Sequence, residues 1–163
     1  MAFDTFLDME GVPGESTAKG FEGKTEIYSF SLGASNPTTV SSGSGGLSGG
    51  KVSVSSFNFM KKSDKTSATL FQNCCNGEHI PKVTVSMRKA GGAGGQQIFL
   101  KYKFTEVMVE SIQWSGSSGG DDSPTESCSF AFGKIEIEYL KQDAKGKTSI
   151  AGQASWDIQK VSD

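Results

Sequence analysis

The apolar residues of this chain alternate at the period-two spacing of β-strands, and in several runs the alternation changes face partway along. Val52 and Val54 give way to Phe57 and Phe59 around Ser55-Ser56. Ile98, Leu100, Tyr102 and Phe104 give way to Val107 and Val109 after Thr105-Glu106, and Cys128, Phe130 and Phe132 give way to Ile135, Ile137 and Tyr139 about Gly133. Successive strand side chains point to opposite faces, so a parity change demands a bulge or a strand buried on both sides. Bulges and strand glycines are how sheets bend. The chain is therefore expected to be mainly β, with its sheet curved into a small closed barrel.

The other runs fit this reading. Ala2 to Met9 reads as a strand, followed by turn chemistry at Glu10-Gly11-Val12-Pro13-Gly14-Glu15. Thr25 to Leu32 reads as one strand, with Tyr28, Phe30 and Leu32 packed inward and Ser29 and Ser31 on the other side with Ile27. Val83, Val85 and Met87 share a face, and Gly91 to Gly95 would link this strand to the next as a hairpin. Ser149 to Ile158 would place Ile150, Ala154, Trp156 and Ile158 together. One helix is expected over residues 65–75, capped by Asp64 or Ser63, with Phe71, Cys74 and Cys75 as its apolar stripe and Ala68 just above. Gly77 suits the left-handed residue that ends a helix. About six to eight strands and one flanking helix form a single domain over residues 1–163.

Glycine is over-represented, at 21 of 163 residues, and much of it lies in Gly33 to Gly50, a segment rich in Gly and Ser. That segment has too little apolar area to offset its own ordering entropy, so composition favours a floppy connector. The other reading is a loop that orders only against a neighbouring subunit. The net charge of −2 offers no global field for nucleic acid or anionic lipid. The basic pairs Lys61-Lys62 and Arg88-Lys89 read as solvated strand ends. No apolar run approaches a membrane span, and the start of the chain lacks the basic and apolar regions of a signal peptide. Export, if it occurs, would need a dedicated machine.

Residue chemistry argues against catalysis and cofactors. His79 is the only histidine, and adjacent Cys74-Cys75 cannot act as a spaced zinc-ligand pair. The plain reading is two buried helical cysteines and a loop histidine. With Cys128, the cysteines are too few and odd in number for a disulfide framework. No Gly-x-Ser-x-Gly elbow precedes a helix. Gly49-Gly50-Lys51 runs into Val52 and a strand, not the Lys-Ser/Thr and helix of a phosphate loop. Catalytic, metal and cofactor residues are therefore expected to be none.

A set of phrases in fixed order carries more. Met1-Ala2-Phe3-Asp4-Thr5-Phe6-Leu7 is followed by Glu10 to Ser16, Phe30-Ser31-Leu32-Gly33 and Gly50 to Val54. Next come Lys61-Lys62-Ser63-Asp64-Lys65, Arg88-Lys89-Ala90-Gly91-Gly92, Gly116 to Gly120 with Pro124-Thr125-Glu126, Phe130 to Ile135, and Gly152 to Asp157. Together they resemble the Hcp tube proteins of bacterial type VI secretion over nearly the whole chain. Leu32 departs from the tryptophan common in the family at that place.

The resemblance implies a small β-barrel with a helix on its flank, assembled as a homohexameric ring. It implies rings stacked into a tube inside a contractile sheath, with a spike protein at the tip. Effector proteins would be carried in the lumen, and the subunit would be cytoplasmic before firing and outside the cell after it. On that basis Ser29 and Ser31 are the candidate lumen residues, since small hydroxyls hydrogen-bond varied cargo without strong commitment. Ser41, Ser42, Gly43, Ser44, Gly45, Gly46, Leu47, Ser48, Gly49 and Gly50 form the candidate ring-stacking loop, with Leu47 its apolar anchor. The alternatives are a monomeric β-sandwich or barrel binding carbohydrate or protein, and a hydrolase using His79 with one cysteine.

Overall fold

A computed structural model describes residues 3–41, 46–89, 96–120 and 122–163. Twelve strands and one helix follow the order β1 Phe3–Met9, β2 Thr25–Ile27, β3 Ser29–Ser31, β4 Ala34–Ser35, β5 Thr38–Ser41, β6 Gly46–Gly49, β7 Ser53–Val54, β8 Phe57–Lys62, α1 Thr66–Asn76, β9 His79–Lys89, β10 Ile98–Ser115, β11 Thr125–Gln142 and β12 Thr148–Asp157. Eight of the strands form one antiparallel sheet in the order β2-β1-β9-β10-β11-β8-β3, with β12 added on β11. The first and last strands of that order, β2 and β3, are consecutive in the chain. The Tyr28 N–H between them donates to Met60 O on β8 (3.1 Å), so the sheet closes on itself as a barrel.

The barrel interior is filled by side chains. Phe57 lies 5.1 Å from Phe130 and 5.2 Å from Phe104, centroid to centroid, and Phe104 lies 4.6 Å from Phe132. Leu7, Val83, Val85 and Val107 complete the core, and Leu70 reaches it from α1 on the flank. The expected fold class is the observed one.

Both late parity changes fall at one place. Glu106 takes a positive φ of 56°, and Gly133 lies across the ladder from it. Phe104 and Val107 are both buried as a result, as are Phe132 and Ile135. Gly133 is also where β11 changes partner: Thr125 to Phe130 pair with β8, while Lys134 to Gln142 pair with β12. The earlier parity change at Ser55-Ser56 is a full break between β7 and β8.

Several expectations are corrected. Thr25 to Leu32 is two strands, because the chain must cross from β1 to β8 to close the barrel. Ile27 is buried and Tyr28 is 55% exposed, while Phe30 and Leu32 pack against the core as expected. The inward face of α1 is Thr66, Leu70 and Asn73, with Cys74 half-buried; Ala68, Phe71 and Cys75 are exposed. Two polar side chains hold that face, so hydrophobicity alone selects the wrong stripe. Gly77 ends the helix at φ 71° as expected; at the start Lys65 takes the N-cap position with no side-chain bond, and Asp64 Oδ1, one residue earlier, accepts the Thr66 N–H (2.9 Å).

Nor are the basic pairs simply solvated. Lys61 has no exposed side chain and pairs with Glu126 and Asp64, and Arg88 is 7% exposed, its guanidinium 4.9 Å from the Phe6 ring. Each has a partner distant in sequence that replaces water. His79 opens strand β9 and is not in a loop. In β12, a bulge opposite Tyr139 and Leu140 puts Ile150 out of phase with Ala154 and Trp156. Ile150 is therefore 53% exposed, and Ile158 lies beyond the strand end. Strands β9 and β10 pair antiparallel as expected; their link at residues 90–95 lies outside the described residues.

Candidate functional site

Ser29 and Ser31 flank Phe30 on β3, which turns its ring inward to stack on Phe57 (5.7 Å). Both serines are exposed on the barrel's outer side. The register extends their face. Ser29 is opposite Met60 and Ser31 opposite Asn58; Met60 is opposite Ser127 and Asn58 opposite Ser129; Ser127 is opposite Gln113 and Ser129 opposite Ser111. Directly opposed residues of antiparallel strands share a face, so these side chains lie on one side of the sheet across β3, β8, β11 and β10, with Ser129 itself buried. The Ser111 and Ser129 hydroxyls meet at 2.6 Å.

None of these eight side chains carries a charge. Hydroxyls and amides both donate and accept hydrogen bonds, so the surface can meet varied polar partners without demanding one charge pattern. Sequence reading identified Ser29 and Ser31 but missed Asn58, Ser111, Gln113, Ser127 and Ser129. The alternation of small polar residues with Phe59, Ile112 and Cys128 was visible, but only the register shows that they adjoin.

The described parts of the Gly/Ser segment are paired strands, not the unpaired connector that composition favoured. Strands β5 and β6 pair as a hairpin, with Val40 directly opposite Leu47, on a second short ribbon of β4 and β7. Val40 is 76% exposed and Leu47 is 77% exposed. At the root, the Gly50 N–H donates to Pro37 O (2.7 Å), and a Cβ on Gly50 would stand 2.8 Å from Pro37 Cγ. Backbone hydrogen bonds, which composition does not reveal, supply the order. Ser42, Gly43, Ser44 and Gly45 of the expected stacking loop lie outside the described residues; Gly46 to Gly49 form β6. Val40 was not singled out from sequence.

His79 and the cysteines are separately placed. His79 Nδ1 lies 3.4 Å from Glu106 Oε2 at an exposed position, while the Cys74 thiol donates to Glu110 O (3.5 Å). Cys128 is buried, and burial, with the Glu126 carboxylate adding to it, pushes its thiol up to about 12. Among the described residues no group of three or more His, Cys, Asp or Glu side chains is placed to hold a metal ion. No helix among them is long and apolar enough to cross a membrane.

Comparison with known proteins gives consistent relatives. The family described as "Type VI secretion system effector, Hcp" matches residues 6–139. "Protein hcp1" of Pseudomonas aeruginosa is 34% identical over 160 residues, covering 98% of this chain and 97% of that protein. Among solved structures, one described as "Structure of a type six secretion system protein" superposes with a TM-score of 0.90 at 34% identity, covering 98% of each chain. Hcp1 from Salmonella typhimurium superposes at 0.79 with 31% identity, covering 99% of each chain.

Proposed function

This chain belongs to the Hcp family of type VI secretion proteins, and we propose that within it the chain is a tube subunit that assembles as a homohexameric ring and carries effector proteins in the ring lumen. The observation that carries this reading is the patch of hydroxyl and amide side chains, with Lys62 next along the same face of β8, on the outer side of a barrel whose interior is packed with Phe57, Phe104 and Phe130. Cargo has no room inside one barrel, so a lumen has to be built between copies. A ring that turns Ser29, Ser31, Asn58 and Ser127 toward its axis would give cargo a hydrogen-bonding wall.

The β5–β6 hairpin supplies the second element. Two opposed apolar side chains, Val40 and Leu47, are held in solvent on a narrow arm, an arrangement that favours burial against another surface. The next ring in a stack is the occupant we assign to it. The contractile sheath and the spike at the tip are partners of the assembled tube, which is cytoplasmic before firing and exported afterwards. No catalytic step is assigned to the chain.

Deletion of residues 42–48 tests the arm. Rings should persist in negative-stain images while tubes disappear. Tubes of unaltered length in the deletion variant would remove the arm from stacking.

A further inference from the structure

We propose that a cationic cleft on the far side of the barrel binds a phosphate group, free or carried on a small molecule. The cleft encloses about 370 Å³ on the outer side of β1, β9 and the first half of β10, away from the hydroxyl face. The segment between β1 and β2 folds over this part of the sheet and is pinned there by Phe21, which stacks on Phe6 at 4.4 Å with ring planes 7° apart. A gap remains between that segment and β10. Lys19 and Lys24 line it from the segment, Thr84, Ser86 and Arg88 from β9, and Lys101 from β10.

Charge and preorganisation both favour an anion there. Asp8 is the one carboxylate lining the cleft among the described residues, and it pairs with Lys24 at 3.0 Å. Asp4 approaches Arg88 Nε at 3.5 Å, and Glu22 accepts the Gly20 N–H at 3.1 Å. Among the described residues, neither Lys19 nor Lys101 has a carboxylate within ion-pair distance, but Lys19 acts on Glu22, whose carboxyl is held below its ordinary value by backbone hydrogen bonds and in part by the Lys19 charge. Glu138, the cross-strand neighbour of Lys101, is engaged by Lys103 at 2.8 Å. The chain as a whole is acidic, with a net charge of −2, so this excess of cations is local.

Arg88 is the built part of the site. Its guanidinium lies 4.9 Å from the Phe6 ring centroid and 5.3 Å from that of Phe21, and Nη1 donates to Lys19 O at 2.9 Å. The side chain is 7% exposed; Nε makes no hydrogen bond, although Asp4 Oδ2 faces it as an ion-pair partner at 3.5 Å. A held guanidinium loses little freedom on meeting an oxyanion, and the threonine and serine hydroxyls add donors at fixed positions. A tetrahedral phosphate, with several acceptor oxygens and about two negative charges, matches this donor set better than a single carboxylate does.

Phosphorus-31 NMR of inorganic phosphate and of glycerol 3-phosphate, each titrated with the full-length protein at constant ionic strength, tests the site. Line broadening is expected for at least one probe. Lys101→Gln and Lys19→Gln should each weaken binding about tenfold, the loss of one charge-assisted hydrogen bond. Lys141→Gln, outside the cleft, should leave binding unchanged. Tighter binding of glycerol 3-phosphate would assign the phosphate to a carried group; equal or tighter binding of inorganic phosphate would assign it to the free ion. No broadening with either probe, or equal broadening in wild type and the cleft variants, would overturn the proposal. Neither result bears on ring assembly.

Discussion

Lys61 Nζ stands 2.6 Å from Glu126 Oε2, and neither side chain is exposed to solvent. The pair joins β8 to β11 beside the start of α1. Asp64 approaches the same ammonium at 3.0 Å, and Trp114 Nε1 donates to the other Glu126 oxygen at 2.6 Å. A buried pair with both partners hydrogen-bonded holds its geometry, whereas removing one partner strands the other charge. Glu126→Gln should therefore lower stability by about 3 kcal/mol, measured by urea unfolding. Lys61→Met combined with Glu126→Leu should recover most of that loss. A double variant as unstable as the single one would contradict the account.

The pair also sets an acid response. Burial alone would raise the Glu126 carboxyl, but hydrogen bonds from Lys61, Ser67 and Trp114, with the charge of Lys61, outweigh it and hold the group below its ordinary value. The unfolded chain then binds the proton first, so the stabilisation is present above the usual glutamate range near about 4.3 and is lost as pH falls through the lowered folded value. Wild type should lose more stability than Glu126→Gln between pH 6 and pH 3, read as the shift in urea midpoint. Parallel losses in the two proteins would show that Glu126 is not responsible.

Two glycines should differ in what they tolerate. A Cβ on Gly14 would stand 2.4 Å from Lys24 O and 2.5 Å from Thr25 Oγ1, against backbone and a buried side chain. A Cβ on Gly133 would meet Glu106 Cβ at 3.3 Å and Gln159 Cδ at 3.4 Å; the Gln159 side chain can give way, while Glu106 Cβ, fixed to its backbone, has to yield by only a few tenths of an ångström. Gly14→Ala should cost about 2–3 kcal/mol and Gly133→Ala about 1 kcal/mol. Thermal unfolding of the two variants would test that order.

The three thiols should react in sequence. Cys75 is exposed, Cys74 is half-buried, and Cys128 is buried with its thiol pushed up to about 12. Maleimide added to the native protein at neutral pH should modify Cys75 first and leave Cys128 untouched until denaturant is added, because the thiolate is the reactive form. Peptide mass mapping reads the order. Early modification of Cys128 would mean that the β8–β11 layer opens.

Ser31→Gln adds bulk to the hydroxyl face without adding charge. Effector retained by the rings should fall while the rings themselves remain intact. Unchanged co-purification would remove Ser31 from the cargo surface.

The fold was legible in sequence where a local rule suffices. The face change at Gly133 shows in its alternation, and Gly77 shows as the residue that ends α1. The buried helix face was not legible, because Thr66 and Asn73 occupy it and Phe71 does not. Lys61 looks like a solvated lysine until strand pairing sets Glu126 opposite it. The Val40–Leu47 arm was hidden for a related reason: its order comes from backbone hydrogen bonds within a Gly/Ser segment. Of the hydroxyl face, one strand could be read from local alternation; the rest depended on register between strands distant in sequence.

Sedimentation velocity with negative-stain imaging of the purified protein tests the central claim most directly. The account predicts a particle of six times the 17.2 kDa chain mass, seen end-on as a ring with an open centre. A single 17.2 kDa species at every concentration, with or without the tube's partner proteins, would contradict it.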